Sequence, residues 1–529
     1  MTIQPTMLRP AAPRPAWQVV LGLVLPLPAL ILLITSYVEP LFWTIRTSFR
    51  RFTGIRGLTA QGPGSSVGFD NYRRAFDDGL GGALGYALGL AVAPLLIVLL
   101  LAPALAWAAH SSGRVVRWIA RGALVVPLAA FSPFGIAVAA VFAGRGERWA
   151  YWLGTAGVFA AIAALVYLAA FRTNRSPWPG VIIAGGLAVL GVFAVVLQEF
   201  TFAWAGRYQA RDSAGTPALL SYEHAFVRAD MGTGAAISTV VLVPVLLLGL
   251  AATLIAIVTG LRLQVRSDVA ETPPPWRAVA AVVAGVLLLI VLGDTIAGLW
   301  PWLSRLGVSP APGTPSTWVN TWIPPLLSTL VGVTAAALAA FGISGLRPLG
   351  RRSEWLLLPF GLFLFVGTAP LALRAFAAGA TAGRLDTFLA LIPPSRLAVP
   401  ALIVLALLFR GQALRREVLH QENRPAPWSS LVLPALPMLG LAYVATWVVQ
   451  AQDLIWPLIT SSGHHPTAQY AILTILTEYF DVDHAPYGSL LPIPLLILLL
   501  LLGVAAQLFY LDRVALQSGL PERDHPPRT

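Results

Sequence analysis

The sequence predicts an all-α fold, that of a polytopic membrane protein with about 12 transmembrane helices in two six-helix halves. Composition is the first observation: of 529 residues, 57% are hydrophobic and 11% charged, with a mean hydropathy of +0.75. Soluble domains carry about 25% charged residues. Second, the apolar residues fall in runs of about 20, long enough to cross a bilayer as a helix. Third, a charged and Pro-rich segment at 262–277 separates the sixth run from the seventh.

The apolar runs place the individual spans and divide the chain. The first six spans are predicted near 17–39, 84–108, 119–142, 149–171, 180–203 and 236–261, and the second six near 277–299, 322–346, 354–374, 386–409, 430–450 and 488–511. The first run is too long for a signal-peptide core and lacks a small-residue cleavage site, so we predict a retained span. Residues 1–262 form the first half, 263–277 a cytoplasmic linker, and 278–529 the second half.

Charge and cysteine usage narrow the function. The net charge is +12 and all basic residues are arginines, about 20 of which fall in loops on the side of the N-terminus. This bias predicts that both termini are cytoplasmic. Because the arginines lie in short loops between spans, the positive net charge does not indicate nucleic-acid binding. The chain has no cysteine, so thiolate metal sites and disulfides are excluded. The seven histidines lack metal-ligand spacing on a helix.

A polar decapeptide, "VGFDNYRRAF" at 67–76, follows the first span. Phe69, Tyr72 and Phe76 recur with helical spacing, and Arg73 and Arg74 lie off that face. The pattern predicts an amphipathic helix at the membrane interface on the outer side; a solvated loop is the alternative.

Together with "EPLFWTIRTSFRRFTG" at 39–54, the decapeptide resembles the outer loop after the first core helix of carbohydrate-type permeases. These are the membrane subunits of binding-protein-dependent ABC importers, such as the maltose permease pair. "TPALLSYEHAFVRADMGTGAAIST" at 216–239 is similar to the stretch before their last helix, although the Gly-Gly-Pro common in the family is missing.

The second half resembles the partner permease. The stretches are "WVNTWIPPLLSTLVGVTAAALAAFGISGLRPLGRR" at 318–352, "GRLDTFLALI" at 383–392 and "LVLPALPMLGLAYVATWVVQAQDLIWPLI" at 431–459. Asp386 stands where the family has Asn, whereas Trp456-Pro457-Leu458 is intact. In each half the matches follow one another in the order that they have in the family.

The resemblance implies a function and partners. It implies import of a carbohydrate or related polar solute across the bacterial cytoplasmic membrane by alternating access. The implied partners are an ATP-binding subunit dimer and an extracytoplasmic solute-binding protein or lipoprotein, besides the lipid bilayer. The chain has no GxxxxGK[ST] loop, so we expect no cofactor and no enzymatic activity in it, with ATP and Mg on the partner.

Two loops correspond to the family's ATPase coupling helices, and both depart from the Glu-Ala-Ala pattern. "FRTNRSPWPG" at 171–180 is too short for such a helix, whereas "RREVLHQENRPAPWSSLVLP" at 415–434 keeps a glutamate and the Leu-Pro. The candidate coupling residues are Arg172, Arg175 and Trp178 in the first half and Arg415, Arg416, Glu417, Glu422 and Trp428 in the second.

Polar and aromatic residues near the ends of spans five and eleven are candidates for a substrate pathway, because polar groups in the bilayer are costly. The stretches are "LQEFTFAW" and "WVVQAQDLIW", at equivalent positions in the two halves. The candidates are Glu199, Trp204, Tyr443, Trp447, Gln450 and Asp453. Interfacial belts are the alternative.

Three functions stay open. The first is a fused importer permease that needs a separate ATPase. The second is a degenerate permease that has lost ATPase coupling and serves as a structural or accessory subunit. The third is a secondary carrier, which paired charges in mid-span would favour and which their scarcity disfavours.

Overall fold

A computed structural model describes eight ranges of the chain: 15–51, 64–173, 176–207, 215–266, 274–307, 314–422, 424–479 and 485–519. Nearly all of the regular structure in these ranges is helical, as predicted. The exception is one small antiparallel sheet made of strands Arg262–Val265 and Val514–Gln517. The fold is therefore essentially all-α.

Within the described residues, nine helices are long and apolar enough to cross a membrane. They are Ala16–Ser48, Leu80–Ser111, Glu147–Phe171, Trp178–Gly206, Met231–Val258, Arg277–Leu303, Pro315–Gly345, Ser429–Ala451 and Ile493–Arg513. Large apolar side chains such as Leu100, Ile182 and Leu289 are 64%, 70% and 71% exposed on their outer faces. A surface of this kind suits lipid, and the chain has the character of a multi-pass membrane protein.

A tenth candidate among the described residues is a bent pair of helices. Helices Arg114–Ala129 and Pro133–Phe142 pass the same test together but meet at an angle of 74°. Pro133 begins the second piece, where its missing N–H costs no helical hydrogen bond. The predicted span 119–142 is therefore a bent pair of helices.

The predicted count of about twelve spans is not confirmed, because two predicted spans of the second half differ in the structure. Residues 354–374 hold the 3₁₀ helix Gly350–Leu357, a short helix, a break, and the start of helix Ala369–Thr381. At 386–409, the helix begins only at Val399, with Pro400 in its first turn, and it ends at Gln421. The turn and 3₁₀ structure before Val399 contains Pro393 and Pro394, which do not fit a helix interior.

The order of elements repeats along the chain. Each half has two long helices, a broken third helix, a fourth and a fifth long helix with a short helix after the fifth, and a sixth long helix followed by a strand. The two strands pair with each other, matching Arg262 with Gln517 and Val265 with Val514. This register is the one that a two-fold axis between the strands produces. The segment predicted as a linker from residue 263 therefore begins with a strand.

The first long helix of each half packs on the other half. Helix Arg277–Leu303 contacts helices of the first half, and helix Leu27–Leu33 contacts helix Thr314–Ala340 of the second. A Cβ atom at Gly298 would lie 2.1 Å from the Leu153 carbonyl oxygen, so only glycine permits this approach of the two backbones. This mutual packing of the first helices holds the two halves together.

The decapeptide forms the predicted amphipathic helix, Asp70–Asp77. Phe69 and Phe76 are 67% and 52% exposed on its apolar side. Buried Asn71 donates hydrogen bonds to the carbonyl oxygens of Ser48 and Arg50, and both distances are 2.8 Å. These bonds fix the helix to the end of the first span.

Candidate functional site at the junction of the two halves

Gln198, at the end of helix Trp178–Leu197, reaches into the break of the second half's broken helix. Its Nε2 donates to the carbonyl oxygen of Phe365 over 2.8 Å, and its Oε1 accepts from the backbone N–H of Gly367 over 2.8 Å. These two backbone groups lie between helices Leu358–Gly361 and Ala369–Thr381, where no helical partner serves them. One side chain of the first half thus satisfies the open backbone of the second.

Gln452 makes the reciprocal contact. Its Oε1 accepts from the Ser132 hydroxyl over 2.7 Å, at the bend of the first half's broken helix. Its Nε2 donates to the carbonyl oxygen of Leu490 over 2.9 Å. Each half therefore presents a glutamine, at the end of equivalent helices, to the broken helix of the other half.

The acidic residues that follow these glutamines cap short helices. Glu199 accepts from the backbone N–H groups of Phe202 and Ala203 over 2.7 and 3.2 Å, at the start of helix Thr201–Gly206. Asp453 accepts from the N–H of Trp456 over 3.4 Å, at the start of helix Ile455–Thr460. An anionic side chain suits the first turn of a helix. As placed, both carboxylates serve the backbone.

The predicted aromatic residues pack within the helices of each half. Trp204 is 1% exposed and lies 5.8 Å from the Phe134 ring. The Trp447 ring packs edge-on against Trp322 at 5.2 Å, and its Nε1 donates to the Trp322 carbonyl oxygen over 2.8 Å. These contacts stabilise the helix ends beside the two glutamines.

Tyr443 and Gln450 also bind neighbouring helices. The Tyr443 and Thr334 hydroxyls are 2.6 Å apart, on an exposed part of the helix surface. Gln450 donates to the Ser395 carbonyl oxygen over 3.0 Å and accepts from Thr329 over 3.2 Å.

Two small cavities border this junction. One lies between the halves and is lined by Gln198, Tyr222, Ser238, Pro370 and Ile455, among others. The other, in the second half, is lined in part by Asn320, Gln450, Trp456 and Thr467. The first brings the polar end of the first half's fifth long helix next to Ile455 of the second half. It joins the two predicted pathway stretches, although Glu199 and Asp453 themselves do not line it.

Most of the candidate coupling residues make contacts inside the chain. The guanidinium of Arg347 holds Glu417 over 2.9 Å, Arg415 donates to the Val265 carbonyl oxygen over 3.0 Å, and Arg416 lies 3.7 Å above the Trp428 ring. The Arg424–Glu422 ion pair is looser, at 3.7 Å.

The first-half coupling candidates are divided between the interior and the surface. Arg172 is buried and pairs with Asp512 over 3.1 Å. Trp178 is 60% exposed at the start of its helix. Arg175 lies outside the described residues.

Gln198 and Gln452 lie in the two stretches predicted to border a substrate pathway, whereas their partners Ser132, Phe365 and Gly367 were not predicted. Neither was Asp512, which faces three arginines. Two of these partners act through backbone atoms, for which a sequence carries no signal. Among the described residues, no group of three or more His, Asp or Glu side chains has a geometry that could hold a metal ion.

No protein-family model matches the sequence, and no curated protein matches it either. The resemblance to importer permeases therefore rests on the motifs quoted above.

Proposed function

We propose that the chain is the membrane permease of an ABC importer, with two permease halves fused in one chain. It moves a carbohydrate or related polar solute by alternating access and takes its energy from a separate ATP-binding dimer. The observation that carries the proposal is the reciprocal contact of Gln198 and Gln452 with the broken helices of the opposite halves. A junction of this kind has two partners that can separate and rejoin, as a rocking cycle requires.

The chemistry at the junction suits a polar, uncharged solute. Amide groups both donate and accept hydrogen bonds, so Gln198 and Gln452 can exchange a backbone partner for a hydroxyl group at little cost. Aromatic rings such as Tyr222, which lines the cavity beside Gln198, offer apolar faces to the C–H surfaces of a sugar.

Partners and orientation are part of the proposal. A solute-binding protein would dock at the outer surface that carries the exposed Phe69 and Phe76. Both termini and the loop at 415–424 would face the cytoplasm of a bacterial cell, where the ATPase binds. Because Arg172 of the first-half loop is buried against Asp512, the contact with the ATPase would be larger on the second half.

A second candidate, the degenerate permease without ATPase coupling, has a specific observation in its favour. Arg172, Arg415, Arg416 and Glu417 are all held by contacts within the chain, which leaves less side-chain surface for a partner.

Replacement of residues 415–424 by a Gly/Ser linker separates the two candidates. ATPase association and ATP hydrolysis are measured on chains purified from native membranes in mild detergent. The importer proposal expects both to be lost in the variant. If no ATPase accompanies the wild-type chain, or if the replacement changes neither quantity, the accessory-subunit candidate replaces the importer.

A further inference from the structure

Three arginines surround one carboxylate where three helices end. Arg117 lies on helix Arg114–Ala123, Arg172 follows helix Glu147–Phe171, and Asp512 follows helix Ile493–Phe509. The last two are candidate membrane spans, so the arginine cluster (Arg117, Arg121, Arg172 and Asp512) lies where two candidate spans end.

All four side chains of the arginine cluster are at most 8% exposed. The Asp512 carboxylate is 2.9 Å from Arg117 Nε, 3.3 Å from Arg121 Nε and 3.1 Å from Arg172 Nη1. Its Oδ2 also accepts from Trp118 Nε1 over 3.1 Å. The acceptor capacity of this one carboxylate is therefore shared among four donors.

Two of the arginines keep unused donors. Arg121 Nη2 and Arg172 Nε are buried and have no hydrogen-bond acceptor among the described residues. A guanidinium group cannot shed its charge, and a buried charge without a counter-charge is costly. An oxygen-rich anion would supply the missing acceptors, and phosphate matches the fork of a guanidinium in two parallel hydrogen bonds.

The equivalent place in the second half provides an internal comparison. There Arg347 and Arg410 lie against two carboxylates: Arg347 is 2.9 Å from Glu417, and both arginines approach Glu354, at 3.6 and 3.4 Å. Arg410 also donates to the carbonyl oxygens of Ala256 and Leu261. The second cluster therefore has two charges of each sign, whereas the arginine cluster has three positive charges and one negative charge.

The surface beside the arginine cluster is suited to lipid. Val115 and Ile119, on the outer side of helix Arg114–Ala123, are 71% and 60% exposed, and Arg114 lies 4.3 Å above the Trp118 ring. An apolar face with basic residues behind it is typical of a helix lying in the interface, where anionic headgroups are concentrated.

We propose that the cluster of Arg117, Arg121 and Arg172 binds a phosphate-type oxyanion, carried by an anionic lipid headgroup or present as free phosphate. Arg121 and Arg172 hold its oxygens, while Asp512 keeps the guanidinium groups in place. The site ties the end of the first half's fourth long helix to the last helix of the second half. It does not depend on the transport function proposed above.

The test uses the full chain, purified and delipidated in detergent, with its 17 tryptophans as the unfolding probe. Phosphatidylglycerol, phosphatidylcholine and inorganic phosphate are added separately. We expect phosphatidylglycerol to raise Tm by about 2 °C or more over phosphatidylcholine. The shift should persist in Arg410→Gln, which alters the balanced cluster, and be lost in Arg121→Gln.

A shift with inorganic phosphate alone would assign the site to the free anion, and a shift confined to phosphatidylglycerol would assign it to a lipid. The proposal is overturned if neither probe shifts Tm of the wild type, or if Arg121→Gln responds like the wild type. If Arg121→Gln does not fold, Arg172→Lys takes its place, because it keeps the charge but loses the fork; a full response in that variant would also overturn the proposal.

Discussion

Ser132 donates its hydroxyl hydrogen to Gln452 Oε1 over 2.7 Å, although the two residues are 320 positions apart in the chain. Both side chains are buried, at 0% and 5% exposure. The bond joins the bend of the first half's broken helix to the end of the second half's fifth long helix. With the matching contact of Gln198, it joins the two halves through polar side chains on both sides of the junction.

Replacement of Gln452 by Leu should destabilise the protein. The change leaves the Ser132 hydroxyl and the Leu490 carbonyl oxygen without their partner, at a cost of about 1–3 kcal/mol for a buried polar group. A lowered Tm in a detergent-solubilised thermal shift assay checks this. Gln421→Leu, at the exposed end of helix Val399–Gln421, is the matched control and should leave Tm within about 1 °C. Equal effects of the two substitutions would contradict the role given to Gln452.

Replacement of Asp512 by Asn should be more severe. It removes the carboxylate that three buried guanidinium groups share, and breaking a buried ion pair in this way costs about 3–5 kcal/mol. Asp70→Asn is the control, because its ion pair with Arg73 is exposed and worth about 0–1 kcal/mol. Urea or thermal unfolding of both variants measures the difference, and a mild effect of Asp512→Asn would show that the arginines do not rely on it.

His224 should make stability depend on pH. It is 3% exposed, and burial, followed by the nearby Arg228, lowers the pKa of His224 below its ordinary 6.5, although Asp78 opposes the shift. Below pH 6.5 the unfolded chain therefore takes up a proton that the folded chain resists. The free energy of unfolding therefore decreases, by the contribution of His224, as pH falls from 6.5 through the folded-state pKa of this residue.

The measurement is Tm between pH 7.5 and 5 for the wild type and His224→Gln. The variant should lose less stability over this range than the wild type. His420→Gln, at an exposed position, should keep the wild-type dependence. The same pH dependence in all three proteins would show that His224 does not titrate as described.

Much of the fold could be predicted from the sequence, because apolar runs fix where a helix can cross a bilayer. The all-α class and nine candidate spans follow from that rule. The amphipathic helix Asp70–Asp77 follows instead from the helical spacing of Phe69, Tyr72 and Phe76. The break before Ala369 could not be predicted, since "LFLFV" at 362–366 continues the apolar run up to Gly367. There the backbone departs from a helix where Gln198, 167 residues from Phe365, supplies hydrogen bonds.

Long-range pairing also determines structure that the sequence does not show. Residues 263–265 fall in the segment predicted as a linker but pair with Val514–Leu516 as a strand. Helix Val399–Gln421 continues into charged residues because Arg410 and Arg415 find carbonyl oxygens on the first half. The polar ends of the fifth long helices could be predicted because their residues are similar in the two halves. Their partners could not be predicted, because they lie at the breaks of the two broken helices.

A reversible cross-link between the halves tests the central claim most directly. The chain has no cysteine, so Ser132→Cys with Gln452→Cys introduces a single pair of thiols. Because a cysteine is shorter than Gln452, the two thiols are joined by a short bifunctional methanethiosulfonate, which bridges the remaining gap through two disulfides. ATP hydrolysis by the complex purified with this variant is measured before cross-linking, after cross-linking and after reduction. We predict that the cross-linked protein stops hydrolysis and that reduction restores it, because the halves must separate in each cycle. Hydrolysis that continues with the halves cross-linked, or none with the wild-type chain, would contradict the account.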